Sequence, residues 1–517
     1  MDALSQLAGG FAVALQPLNL GLAFVGVLVG QLVGVLPGIG PINAIAILIP
    51  LIFATGLSPE SALILLAGIY YGSQYGGSIS AILLNLPGEA SAVVTALDGH
   101  AMTRAGRGGP ALAIAATASF VGGTLSIFGL VLLAPQLAQW AIGFGPAEYF
   151  ALMVFAFSAL STLSGGSVAR GLASTALGLW LATVGLDPNS AVPRYTFGQI
   201  QLLDGMDFVV VTIGLFAVSE VLQLLEERGA GGVAAVAYGR VMITLKELRD
   251  STATMLRSAG LGFLVGVLPG AGSTIAAFLA YSTEKRLAGR SGRFGEGDIR
   301  GVAAPESANN AAATGAMIPM LTLGVPGSGT TAVMLGALLG LGVTPGPLLI
   351  EEEPDLFWGL AASMYVGNIF LLLLNLPLVG VFIRALSLPR WFLMPAVTAL
   401  AFVSVYAVNG SAFDLGLMTL FGVVGYAMRK LGFPLAPVVL GLVLGPLMEK
   451  NLRRALALSG GEWRVLFDSP IAITLWVLAV ASLAAPVAIR RMTRLEPEEF
   501  NPRTTVDAGA ARQNVPP

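Results

Sequence analysis

Gly34-Val-Leu-Pro-Gly38 recurs as Gly266-Val-Leu-Pro-Gly270, 232 positions further along the chain. Each copy separates two apolar runs. Proline and glycine between apolar arms break a helix and leave backbone carbonyls and amides without intrahelical partners. In lipid such groups are tolerated only where they line a cavity inside the protein. A broken element at matching places in two halves is typical of the binding sites of secondary transporters.

The composition predicts an all-α polytopic membrane protein. Of 517 residues, 55% are hydrophobic and only 11% are charged, whereas soluble domains carry about 25% charged residues. Apolar runs of roughly 16–25 residues, long enough to span a lipid bilayer, follow one another along nearly the whole chain. We expect about ten to twelve transmembrane segments of this kind. No lysine or arginine precedes Arg104, so a cleavable signal peptide is not expected.

Residue usage excludes several function classes. The chain has no cysteine and one histidine, His100, in a stretch that is expected to be a polar loop. Disulfides, thiol catalysis and a His or Cys zinc cluster are therefore excluded, and neither an enzyme nor a resident cofactor is expected. The net charge of −2 gives no indication of partners, and no nucleic acid is expected among them.

Short motifs repeat in the same order in the two halves. Pro305-Glu-Ser307 corresponds to Pro59-Glu-Ser61, and Val325-Pro-Gly327 corresponds to Leu86-Pro-Gly88. Both glutamates of the first pair are expected in the first turn of a helix, as caps rather than as relay groups. The repeat predicts a first membrane repeat over 1–225, a cytoplasmic amphipathic linker over 226–257, a second membrane repeat over 258–490 and a disordered tail over 491–517.

The charges of matching loops indicate that the repeats are inverted. The loop with Arg104 and Arg107 is basic, whereas its counterpart around Glu351 and Asp355 is acidic. Basic loops stay in the cytoplasm, so the two loops are expected on opposite faces. The second Leu-Pro-Gly lies between two basic stretches, which predicts a re-entrant hairpin rather than a full span.

The sequence resembles the large permease subunit of the tripartite tricarboxylate transporters, over nearly the whole chain to about residue 490. The matching motifs are Gly34-Val-Leu-Pro-Gly-Ile-Gly-Pro41, Tyr75-Gly-Gly-Ser-Ile-Ser-Ala-Ile-Leu-Leu-Asn-Leu-Pro-Gly-Glu89, Asp98-Gly-His-Ala-Met102, Pro305-Glu-Ser-Ala-Asn-Asn310 and Gly324-Val-Pro-Gly-Ser-Gly-Thr-Thr331.

The resemblance implies a multi-pass permease of the bacterial inner membrane. Such a permease works with a small membrane subunit and a periplasmic solute-binding protein. It imports small carboxylates, citrate-like in the founding case, driven by a cation gradient. The alternative is a stand-alone cation-coupled carboxylate carrier without a binding protein, while a membrane enzyme or a channel fits the two matched breaks less well.

Candidate site residues flank the breaks, because helix N-termini present amides to anions and unwound carbonyls hold cations. Tight helix packing is the alternative role for each of them. For the coupling ion, Na⁺ is favoured over H⁺ by the scarcity of buried carboxylates, and Gly38, Gly40, Gly270 and Gly272 are its candidate carbonyl ligands. The predicted substrate-binding residues are Asn43, Ser78, Asn85, Gly88, Ser273, Thr274, Asn309, Asn310, Ser328, Thr330 and Thr331.

Two further groups have two possible roles. Glu89 follows a break, where it either binds a cation or a proton or caps the next helix. Tyr70, Tyr71 and Tyr75 are expected to pack beside glycines rather than to stack on a substrate.

Overall fold

The computed structural model describes residues 3–36, 40–163, 167–226, 238–385 and 390–493. These residues are almost entirely helical, because a backbone in lipid must satisfy its hydrogen bonds within its own segment. The helices of the first half are α1 Ala3–Ala14, α2 Pro17–Val35, α3 Gly40–Thr55, α4 Pro59–Leu84, α5 Val93–Arg104, α6 Gly108–Ala141, α7 Pro146–Leu163, α8 Val168–Ala182, α9 Phe208–Ile213 and α10 Ser219–Glu226.

The second half follows the same helical pattern. Its helices are α11 Leu245–Val267, α12 Gly272–Ala288, α13 Ile299–Gly315, α14 Met317–Leu323, α15 Gly329–Gly340, α16 Leu349–Glu352, α17 Pro354–Asn375, α18 Val379–Ala385, α19 Arg390–Asn409, α20 Ala412–Lys430, α21 Ala436–Leu458 and α22 Pro470–Thr493.

Shorter elements connect the helices. One π-helical turn, Gly214–Val218, joins α9 to α10 into a single continuous helix. The antiparallel strands β1 Gly185–Leu186 and β2 Pro193–Arg194 pair with Gly185 opposite Arg194. The 3₁₀ turns are Ala90–Ala92, Ile200–Leu202, Gly289–Ser291 and Trp463–Phe467.

Apolar helices of two lengths make up the membrane part. Six described apolar helices or parts of helices are only 10–17 residues long, shorter than the about 20 residues of a typical transmembrane helix. The predicted all-α polytopic membrane class is confirmed, and much of the apolar sequence forms such short helices. Five others are long and apolar enough to cross: Pro17–Val35, Gly108–Ala141, Phe208–Glu226, Pro354–Asn375 and Ala412–Lys430.

The internal repeat is visible in how the helices pack. A Cβ atom placed on Gly34 of α2 would lie 2.3 Å from the carbonyl oxygen of Ser73 in α4. The same atom on Gly266 of α11 would lie 2.3 Å from the carbonyl oxygen of Ala312 in α13. The first members of these pairs are 232 positions apart and the second members 239. Thus α2 corresponds to α11, and α4 corresponds to α13 and α14 together. The second half has seven additional residues between Gly266 and Ala312.

This register corrects the pairing of the two Pro-Glu-Ser motifs. Pro59 begins α4, so Glu60 does lie in a first turn. Pro305 lies inside α13, which begins six residues earlier, after the N-cap residue Asp298. Glu306 is therefore not a first-turn cap; it is in the middle of the helix and completely buried. The prediction failed because the same three residues occur at two different positions along equivalent helices.

The predicted linker ends inside a helix. Helix α10 ends at Glu226, and α11 runs without interruption through the expected boundary at 257. Its start is fixed by a capping box, in which Thr244 and Glu247 satisfy each other's backbone amides. The second half thus begins by residue 245. At the other end, α22 includes the first three residues of the predicted tail, and 494–517 lie outside the described residues.

Candidate functional site

All four helix breaks contribute to one cavity of about 1020 Å³. The first break supplies Gly40–Asn43, and its twin supplies Gly270–Thr274. The second pair supplies residues 87–91 and Ser328–Thr330, and the turn between α20 and α21 closes the wall. The predicted residues that line this cavity are Asn43, Gly88, Ser273, Thr274, Ser328 and Thr330 among the substrate candidates and Gly40, Gly270 and Gly272 among the cation candidates.

The first pair of breaks has the same backbone geometry in both halves. Gly40 begins α3 and Gly272 begins α12, and both have φ +62°. Only glycine adopts this left-handed conformation without a steric penalty, which explains the third glycine of each motif. The first turn of each helix has amides without intrahelical partners, so the positive ends of two helix dipoles lie at the cavity.

The second pair of breaks is equally well matched. Asn85 ends α4 with φ 57°, and Gly324 ends α14 with φ 67°. Asparagine is one of the few residues besides glycine that tolerates this left-handed cap. Asn85 is exposed and does not line the cavity. The left-handed backbone conformation at the C-cap of α4 explains why an asparagine occupies this position.

The remaining predicted substrate-binding residues lie behind the cavity wall. The Ser78 hydroxyl donates to the carbonyl of Tyr75 at 2.8 Å. Thr331 forms a capping box with Ser328 at the start of α15. Asn309 and Asn310 are completely buried in α13. Gly38 lies outside the described residues.

A polar network crosses the cavity wall between the two halves. The Ser91 hydroxyl lies within hydrogen-bonding distance of the Glu89 carboxylate and 3.0 Å from Oε1 of Gln74. The Gln74 amide donates in turn to the Ser273 hydroxyl at 3.3 Å. Glu89 makes no capping hydrogen bond to the helical turn after it, so the capping role expected as one alternative is not seen. Its carboxylate instead faces the cavity and this network.

Tyrosines reinforce the same contact between halves. The hydroxyls of Tyr70 and Ser328 lie 3.4 Å apart, and the hydroxyl of Tyr71 bonds that of Thr314. The Tyr75 hydroxyl donates to Oδ1 of Asn368 at 2.7 Å. The tyrosines are packed as expected, although Tyr70 also lines the cavity.

Arg429 is a cavity residue that the sequence did not single out. Among the described lining residues it is the single basic side chain. Its Nη1 lies 2.5 Å from Oε2 of Glu220, which also accepts from Nδ2 of Asn43 at 3.4 Å. Its buried Nε has no partner. A basic residue at the end of an apolar helix is the available signal, but it is usually taken as a marker of topology.

A second cavity, of about 770 Å³, lies at the opposite ends of the same helices. Helix α3 contributes Asn43 to the first cavity and Phe53 to the second. Helix α15 likewise contributes Thr330 to the first cavity and Gly340 to the second. Helices α9–α10 and α21 also contribute one part to each cavity. The two cavities are thus separated by the length of these helices.

Ion pairs border the second cavity. Arg453 Nη2 lies 2.7 Å from Oδ2 of Asp187, and Arg194 Nη1 lies 2.8 Å from Oε1 of Glu449. The hydrogen bond from Arg453, supported by the backbone amides of Ser190 and Asn189, holds the pKa of Asp187 well below its usual value. Within the part of the chain that the structure describes, no group of three or more His, Cys, Asp or Glu could hold a metal ion.

Comparisons with known proteins agree with this architecture. Residues 20–440 match the family described as “Tripartite tricarboxylate transporter TctA family”. The chain is 45% identical over 481 residues to an Agrobacterium vitis protein described as “Uncharacterized 52.8 kDa protein in TAR-I ttuC' 3'region”, covering 93% of this chain and 95% of the relative. It is 46% identical over 214 residues to a second A. vitis protein, described as “Uncharacterized protein in TAR-II ttuC' 3'region”, covering 41% of this chain and 88% of the relative. No solved structure matches this chain.

Proposed function

Because the chain belongs to the tripartite tricarboxylate transporter TctA family, we propose that it is the large permease subunit of a binding-protein-dependent secondary transporter. It imports tricarboxylates or related carboxylates across the bacterial inner membrane, coupled to a cation gradient. Its partners are the small membrane subunit and a periplasmic solute-binding protein. A single observation carries the proposal: broken helices from both halves begin at one cavity.

The cavity has the chemistry that a carboxylate needs. Three helices of at least 12 residues, α3, α12 and α15, begin at its wall. Their free amides and positive dipole ends favour anions. The hydroxyls of Ser273, Thr274 and Thr330 add neutral donors.

Arg429 supplies the positive charge. Its guanidinium already binds the Glu220 carboxylate at 2.5 Å, so a substrate carboxylate can join or replace that partner in the same geometry. A guanidinium fork favours a planar carboxylate over a neutral ligand of similar size. The volume of about 1020 Å³ accommodates a molecule with several carboxylates and its water.

The two cavities support an alternating-access mechanism of the elevator type. The helices that end at both cavities form a continuous body between them, and the break residues at the starts of α3 and α15 lie on that body. Movement of the other two breaks, residues 87–91 and Gly270–Thr274, relative to this body would open the site towards one cavity and then the other. Paired breaks around a central site are the arrangement that this kind of transport uses.

Uptake by proteoliposomes tests the proposal. The permease is reconstituted with the small membrane subunit, citrate serves as the probe, and the periplasmic binding protein is added or omitted. Uptake that requires both the binding protein and a cation gradient is the expected result. Uptake without the binding protein would establish the stand-alone carrier instead, and failure of every small carboxylate to be taken up would overturn the proposal.

A further inference from the structure

Glu306 is a buried carboxylate that the cavity does not use. It lies in the middle of α13 with 0% of its surface exposed. None of the ion pairs formed by the described residues includes it. An ionised carboxylate in such a place is very unfavourable unless a positive charge binds it.

Hydroxyl groups from two neighbouring helices contact this carboxylate. The Thr95 hydroxyl of α5 lies 2.5 Å from Oε1, and the Ser119 hydroxyl of α6 lies 3.1 Å from Oε2. Both carboxylate oxygens thus accept a hydrogen bond, as an ionised group would. The hydroxyl lone pairs remain available to a cation.

An unpartnered acceptor lies on the same side of α13. Asn310 follows Glu306 by four residues, so both side chains lie on one face of the helix. The Nδ2 atom of Asn310 donates to Oδ1 of Asn309 at 2.7 Å and to the carbonyl of Glu306 at 3.2 Å. Its Oδ1 atom is buried and has no hydrogen-bond partner. A buried carbonyl oxygen without a donor is a candidate ligand for a cation.

We propose that Glu306, with Asn310, Thr95 and Ser119, binds the Na⁺ ion that drives transport. The inference rests on the cation coupling of the proposed function and gives it a location. Oxygen ligands of this kind, with one negative charge, are what a hard monovalent cation prefers. The site lies behind the substrate cavity, whereas three of the glycines predicted to hold the ion, Gly40, Gly270 and Gly272, lie in the cavity wall.

The position of this site connects ion binding to the cavity. Thr95 is in the first turn of α5, directly after the cavity-lining stretch from Pro87 to Val93. An ion bound at Glu306 would fix the position of Thr95. The adjoining stretch of the cavity wall, Pro87 to Val93, would be fixed together with it. Occupation of the ion site would thereby favour the arrangement that binds the carboxylate.

Direct Na⁺ binding tests this proposal. The probe is NaCl against choline chloride at constant ionic strength, and the readout is the thermal stability of the purified permease in detergent. We expect Na⁺ to raise the Tm of the wild-type protein and to leave that of Glu306→Gln unchanged. Glu60→Gln, the equivalent change in the other Pro-Glu-Ser motif, is the control and should keep the shift. Asn310→Ala should lower the apparent Na⁺ affinity at least tenfold.

Two outcomes would overturn the proposal: a Na⁺ shift retained by Glu306→Gln, or none in the wild-type protein. Glutamine has the shape of glutamic acid without its charge, so this variant should fold without an ion. Carboxylate binding is measured separately, by the Tm shift with citrate. Citrate binding without Na⁺ binding would refute this inference and leave the substrate site standing, whereas Na⁺ binding at Glu306 without any carboxylate uptake would refute the proposed function alone.

Discussion

The carbonyl oxygen of Gly34 lies so close to Gly88 that a Cβ atom on Gly88 would be 1.8 Å from it. The equivalent contact in the second half joins Gly266 to Gly327, where the corresponding distance is 2.9 Å. In both halves, the second break is therefore packed directly on the arm that leads into the first. The four breaks are two interlocked pairs rather than four independent interruptions.

Gly88→Ala should destabilise the protein because the new methyl group overlaps a backbone atom. Overpacking of this kind costs about 1–3 kcal/mol, and the rigid partner here favours the upper end. A lowered Tm of the purified permease in detergent is the expected result. Gly21→Ala, at a position of α2 with open space around it, is the control and should change the Tm little. An unchanged Tm for Gly88→Ala would contradict the packing described.

Thr330 and Thr331 are neighbours with different roles. Thr330 lines the cavity, whereas Thr331 is buried in the capping box of α15. Thr330→Val should raise the KM for carboxylate uptake while leaving membrane expression and Tm nearly unchanged. Thr331→Val should instead lower the Tm by the loss of a cap, worth about 1 kcal/mol. Equal effects of both changes on KM would argue against a substrate contact at Thr330.

Replacing Arg429 should weaken carboxylate binding. A hydrogen bond to a charged group contributes about 1.5–3 kcal/mol, which is roughly a ten- to hundredfold change in Kd. The double variant Arg429→Gln/Glu220→Gln removes both charges together, so no unpaired carboxylate is left behind by the change. Titration with citrate, followed by Tm or by calorimetry, gives the Kd.

Lys430→Gln is the matched control for this experiment. Lys430 is the next residue along α20, is exposed, and pairs with Glu226 outside the cavity. The Lys430→Gln variant should bind citrate with the same Kd as the wild-type protein. If the double variant also kept the wild-type Kd, Arg429 would not be part of the substrate site.

The prediction that the repeats are inverted places two exposed residues on opposite sides of the membrane. Lys285 and Glu351 are both exposed, and the chain contains no cysteine to interfere. Single cysteines at these two positions should react with a membrane-impermeant maleimide from opposite faces of oriented vesicles. Labelling of both from the same face would overturn the prediction of inverted repeats.

Asp187 should contribute to stability at neutral pH and lose that contribution in acid. Its pKa is lowered in the folded protein by Arg453, so the folded state favours the ionised form more than the unfolded chain does. The contribution is present above the ordinary value of 3.8 and decreases as the pH falls below it. Asp187→Asn should therefore lower the Tm at pH 7 and flatten its decline in acid. Asp355→Asn, at an exposed acid, should leave the profile unchanged.

The sequence predicted the cavity better than it predicted the residues behind it. Glycine and proline at the breaks are required by backbone geometry, so their positions could be read directly, and Gly40 and Gly272 have the same φ. Glu306 was misplaced because seven additional residues before α13 shift the helix start without changing the motif. Arg429 was missed because its partner Glu220 lies 209 residues away, and only the folded chain brings them together.

Both halves supply walls to the substrate cavity, so neither half encloses it alone. If the repeat arose by gene duplication, an ancestor of half this length would have needed two copies of itself to form a complete site. The buried carboxylate at Glu306 has no counterpart at the equivalent position of α4, which is Ala67. Fusion of two copies into one chain would have allowed this acid to arise on one side only, a specialisation that two identical subunits could not have acquired.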